Sequence, residues 1–114
     1  MNIPALHSTL AADRWYTFTV AEQLGNIGSE VERTISWHKR GKTQQWQNAF
    51  DRALELIDLS IGDPRWRNTG TLKEICRTRE ILCDLFYGEN IHHISFEELQ
   101  KYFLEFGILA RRDR

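Results

Sequence analysis

Apolar residues recur at spacings of three and four along most of this chain, the period of a helix with one buried face. Val20, Leu24, Ile27, Val31 and Ile35 form the first such stripe. It predicts a long helix with Asp13 as N-cap, running to about Arg40 and stopped by Gly41. Trp46, Phe50, Ala53, Ile57 and Ile61 form the second, which predicts a helix capped by Thr43 and ended by Gly62. A third helix is predicted to open at TLKE, where Thr71 and Glu74 have capping-box spacing, and to close at Gly88. The fourth opens at SFEE, with Ser95 and Glu98 in the same relation, and carries Leu99, Tyr102, Phe103, Phe106 and Ala110 on its apolar face.

Neither proline, Pro4 or Pro64, falls inside a periodic segment, and no stretch alternates with the period of a strand. Short connections favour antiparallel neighbours in space. The expected fold is therefore all-α, a four-helix up-down-up-down bundle over residues 13–114, preceded by an N-terminal arm at 1–12. A chain of 114 residues suits one such domain.

Charge narrows the function classes. Fifteen basic and 16 acidic residues leave a net charge of -1, so no global field draws the chain to nucleic acid or lipid, and any such binding must come from local patches. No signal peptide and no long uninterrupted apolar run is read, which leads us to expect a cytoplasmic protein with no membrane association. Cys76 and Cys83 sit on one predicted helix about 10 Å apart, too far for a disulfide within it.

The run EQLGNIGSEVER raises a question of its own, because Gly25 and Gly28 each weaken a helix interior. Gly28 lies in the apolar stripe between Leu24 and Val31, and Gly25 lies at its edge. A glycine in a buried stripe lets a second backbone approach, so a tight helix crossing is expected. A kink and a surface opened for a ligand are the alternatives. If the crossing partner belongs to a second copy, Gly25, Gly28, Leu24 and Val31 form a homodimer interface; the spacing alone does not separate this from an internal crossing.

Polar positions supply the candidate chemistry. Asp51, Glu55 and Asp58 share one face of the second helix and, with Asp84 of the third, are candidate Mg²⁺ ligands; a solvated face is the preferred reading. Arg79 projects from the apolar arc of the third helix and must either find a carboxylate or carbonyls, with Glu30 the expected partner in a buried ion pair, or snorkel outward. One end of the bundle would gather Arg14, Trp15, Arg65, Trp66, Arg67, Arg111 and Arg112, a mixture suited to phosphates and unpaired bases. The other would gather Trp37, His38, Lys39, Arg40 and Lys42 with Glu89, His92 and His93, of which the three histidines and Glu89 could supply a zinc or nickel site.

The segments EQLGNIGSEVER, RALELIDLSIGDPR and LKEICRTREILCD resemble a family of small bacterial and archaeal all-helical proteins without an assigned activity. The likeness spans roughly residues 15–112 and implies one helical domain. RTISWH resembles the arginine and histidine motif of HEPN-type ribonucleases, which would make Arg33 and His38 a catalytic pair; here the motif closes the first helix instead of lying near the end of the domain. ELID, with Glu55 and Asp58, is similar to half of the metal motif of MazG-type nucleotide pyrophosphohydrolases, but Glu30 is followed at the required spacing by Arg33.

No HExxH, paired CxxC, nucleophile elbow or glycine-rich phosphate loop occurs. The function expected from the sequence is non-catalytic binding, by a homodimer or with a protein partner, and without a cofactor. RNA binding or cleavage and Mg²⁺-dependent nucleotide hydrolysis are the alternatives.

Overall fold

The computed structural model describes residues 12–112, and these are all helical apart from their connections. A helical turn at residues 12–15 leads through a bend to α1 (Val20–Lys39) and α2 (Thr43–Ile61). A 3₁₀ turn (Pro64–Trp66), α3 (Gly70–Tyr87) and α4 (Phe96–Arg112) complete the order. Nearly all of the expected N-terminal arm lies outside the described residues.

The first helix is not continuous from Asp13. The chain breaks at Tyr16–Thr19, and Thr19 caps α1: its side chain accepts from the Glu22 backbone N–H while Glu22 Oε1 accepts from the Thr19 N–H. The TVAE spacing that signals this capping box is present in the sequence. Breaking there lets Trp15 fold back into the core, where it is 6% exposed. A continuous helix would have placed Trp15 about 180° from Leu24, away from the buried stripe.

The remaining ends differ by smaller shifts. Lys42 occupies the N-cap of α2 and makes no side-chain cap, so Thr43 is the first helical residue instead of the cap. Gly41 turns the chain between α1 and α2 with φ +71°, a conformation costly for residues with a β-carbon. Thr69 caps α3 by accepting from the Leu72 N–H, two residues before the expected Thr71. The box at Ser95 and Glu98 forms as predicted, with both hydrogen bonds at 3.0 Å. Gly62 and Gly88 stand at the C-caps of α2 and α3.

α1 is the central element, packing along both α2 and α4, while α3 docks chiefly on α2. Paired residues run in opposite senses along α1 and α2, from Glu30 with Arg52 to His38 with Trp46. They do so again along α1 and α4, where Lys39 meets Glu97 and Gly25 meets Gly107. Leu24, Ile27, Val31 and Ile35 meet Phe50, Ala53, Ile57, Ile75, Leu82, Phe86, Leu99 and Phe103 in one core. Among the described residues no buried side-chain nitrogen or oxygen lacks a hydrogen-bond partner. No described helix is long and apolar enough to cross a membrane.

Candidate interaction surfaces

The glycines of α1 serve a crossing with α4 of the same chain. A β-carbon on Gly28 would lie 2.6 Å from Phe103 Cβ, and one on Gly25 would lie 3.5 Å from Gly107 Cα. Gly28 admits an aromatic side chain, and Gly25 admits backbone. Leu24 and Val31, expected at a homodimer interface together with the two glycines, are 2% and 1% exposed within the subunit. Leu24 and Val31 thus have almost no surface left for a second copy, whereas Gly25 and Gly28 border a groove.

Outside this crossing lies an open groove of about 780 Å³ between α1 and α4. Gly25, Gly28, Ser29 and Gly107 line it, so small residues lower its floor, and Arg33, Lys101 and Arg111 stand along it. Gln100 Nε2 donates to Glu32 across it at 2.9 Å. Leu104 forms part of this wall and is 58% exposed, while Ile108 and Leu109 on the same helix are also exposed. Thus α4 is apolar on two sides, one in the core and one in solvent. Sequence periodicity read only the first, because Leu104 and Ile108 fall outside its stripe.

The arginine and tryptophan end is largely structural. Trp15 Nε1 donates to Ser60 Oγ at 2.8 Å. Both N–H groups and the oxygen of the Gln23 amide are engaged: Nε2 donates to Trp15 O at 3.1 Å and Asp63 Oδ2 at 3.0 Å, and Oε1 accepts from Trp66 Nε1 at 3.0 Å. Asp63 has no exposed side-chain surface and faces Arg65, whose Nη2 approaches Oδ2 to 2.7 Å. The same nitrogen donates to Phe18 O at 2.6 Å, and the guanidinium stacks 4.4 Å above the Trp66 ring. Burial pushes the Asp63 carboxyl up, but hydrogen bonds from Arg65 and Gln23 outweigh it and hold the group below its ordinary value.

This arrangement takes up much of the stacking platform expected for a polyanion. Trp15 is buried, the Trp66 face is covered by Arg65, and the Arg65 charge is matched by Asp63. Arg14, Arg67, Arg111 and Arg112 remain exposed. Gln23 was the missed residue: a glutamine within the first apolar stretch, next to Leu24, signals a buried amide that needs partners.

Arg33 and His38 are not brought together. Five residues along a helix turn through about 140°, so the two side chains leave α1 in different directions. Arg33 points outward to Glu30 at 3.0 Å, whereas the His38 ring packs edge-on against Trp46, Phe86 and Phe96. His92 Nδ1 lies 3.0 Å from Asp84 Oδ2, and His93 is exposed. The histidines expected to share one site are therefore in separate environments.

The carboxylates proposed for Mg²⁺ are likewise dispersed. Asp58 pairs with Arg79 at 3.0 Å, Asp84 pairs with His92, and Asp51 and Glu55 are exposed. Among the described residues no group of three or more His, Cys, Asp or Glu side chains is placed to hold a metal ion. Arg79 is neither deeply buried nor joined to Glu30, which instead receives Arg33 and Arg52. The α2–α3 pairing places Asp58 opposite Arg79, while Glu30 sits on the helix on the other side of α2.

A second opening lies between α3 and α4. It is a cleft of about 270 Å³ lined by Glu74, Arg77, Thr78, Ile81, Ile94, Glu98, Leu99 and Tyr102. At its floor Tyr102 donates to Glu74 Oε2 at 2.8 Å and lies 3.2 Å from Thr78 Oγ1. Comparison with family models, curated proteins and solved structures finds no match to this chain.

Proposed function

We propose that this protein is a non-catalytic binding module, a four-helix up-down-up-down bundle that acts as a homodimer through the outer face of α4. The observation that carries this reading is the exposed Leu104 at the midpoint of Phe96–Arg112, flanked by opposite charges at the two helix ends. Glu97 precedes Leu104 by seven residues and Arg111 follows it by seven, so all three share one face.

A two-fold axis through Leu104 lays two copies of α4 antiparallel. It brings Leu104 onto its own symmetry mate and Glu97, one oxygen of which already receives Lys39 of its own chain at 3.1 Å, opposite the partner's Arg111, twice. Such an isologous pairing is self-complementary in both shape and charge. Ile108 extends the apolar centre, and the groove beside it receives the partner's side chains. Apolar contact at the centre supplies affinity, and the charge pairs at the rim select the antiparallel direction over the parallel one.

Analytical ultracentrifugation over a concentration series tests this reading. The wild-type protein is expected to form dimers, and Leu104→Asp is expected to be a monomer with unchanged helical circular dichroism. Glu97→Arg and Arg111→Glu should each weaken the dimer, and the two together should restore it. A wild-type protein that sediments as a monomer at every concentration ends the proposal.

A further inference from the structure

The cleft between α3 and α4 is separate from the dimer face and has its own chemistry. Its backbone walls stand apart because the helices meet through side chains at two levels. Tyr102 reaches Glu74 and Thr78 at one, and Phe86 stacks on Phe96 with centroids 5.3 Å apart at the other. Ile94, in the connection before α4, closes the space between those levels.

Three features of the lining constrain an occupant. Ile81, Ile94 and Leu99 make an apolar wall, with Leu99 buried and the isoleucines half-buried. Arg77 stands at the mouth and makes no ion pair with any other described residue, although Glu74 is only three positions away. Glu74 and Glu98 flank the same opening, each with one oxygen already engaged. Glu74 Oε2 accepts from Tyr102 and Glu98 Oε1 accepts from the Ser95 N–H, which leaves a second oxygen on each carboxylate.

The rim therefore offers one free guanidinium and two carboxylate oxygens around a short apolar wall. A purely anionic ligand would meet the two glutamates, and a purely cationic one would meet Arg77. We infer that the cleft binds a free α-amino acid with an apolar side chain. Its carboxylate would sit on Arg77, its ammonium on Glu74 and Glu98, and its side chain against Ile81, Ile94 and Leu99. The cleft is smaller than a drug-sized site, which fits a ligand of this size. Guanidinium to carboxylate and ammonium to carboxylate hydrogen bonds are among the stronger polar contacts available.

The test is a titration of ¹⁵N-labelled full-length protein with L-leucine and L-phenylalanine, followed by amide NMR. Isovalerate and isoamylamine, which each carry one of the two charges, serve as controls. Saturable shifts are expected at the α3 and α4 residues around the cleft, at concentrations up to about 10 mM. Each control should bind at least about tenfold more weakly, as should the amino acid to Arg77→Gln or Glu98→Gln. Leu104→Asp should bind normally, which keeps this result independent of the dimer. No saturable shift with either amino acid, equal binding of the single-charge controls, or undiminished binding to Arg77→Gln would each overturn the inference.

Discussion

Phe103 lies so close to Gly28 that a β-carbon at residue 28 would sit 2.6 Å from Phe103 Cβ and 3.0 Å from its Cγ. The absent side chain of one helix is thus filled by the ring of another. This explains a glycine in the most buried stripe of α1 despite its cost to helix stability.

The glycines of this crossing should respond differently to alanine. At Gly28 the gain in helix propensity is outweighed by overpacking against Phe103, with an expected net loss of about 1–2 kcal/mol. At Gly107 a β-carbon meets nothing within 4 Å, so Gly107→Ala should stabilise by about 1 kcal/mol. Urea denaturation of both variants in a Leu104→Asp background keeps the proposed dimerisation out of the comparison. A stabilising Gly28→Ala would contradict the close approach.

The buried Asp63 network predicts an acid-sensitive component of stability. Its carboxyl is depressed in the folded state, so its contribution is fully present above the unfolded value of about 4. It is lost as pH falls through the lower folded value. Asp63→Asn should be less stable than wild type at neutral pH, and the difference should shrink on acidification below about pH 4. Gln23→Leu should cost about 2–3 kcal/mol, because Trp66 Nε1 and Asp63 lose a partner inside the protein. Denaturation midpoints across a pH series read out both effects.

Trp15 and Ser60 form a buried pair linking the turn before α1 to the last turn of α2. Trp15→Phe should cost about 1–3 kcal/mol by removing the donor and part of the ring's packing. Ser60→Ala should cost less in that background than in wild type. A double-mutant cycle with no coupling energy would show that the 2.8 Å hydrogen bond contributes nothing.

Tyr102 should ionise well above the ordinary tyrosine range. Burial raises its phenol, Glu74 raises it further, and the group is pushed up to about 12 despite the opposing contact with Thr78. Because the folded value lies above the unfolded one, the associated stability is present below about pH 10 and lost as pH rises through about 12. Ultraviolet titration should show one delayed phenolate step that vanishes in Tyr102→Phe. In Glu74→Gln that step should move down without reaching the ordinary value, since burial remains.

Four amphipathic stripes were legible in the sequence by themselves, because helical periodicity and local capping depend on residues a few positions apart. They identified the helices, most of the core from Leu24 to Phe103, and the stops at Gly41, Gly62 and Gly88. The Ser95 box is legible for the same reason, and so is the TVAE spacing that starts α1. What a side chain meets depends on which helices become neighbours and in which register, and periodicity carries neither. Only the tertiary structure could show that Gly28 receives Phe103, that Arg79 meets Asp58, or that Trp15 and Trp66 join a buried network around Gln23. The candidate surfaces follow the same division: residue types along α4 were visible in the chain, but the exposure of Leu104 was decided by which face α1 covers.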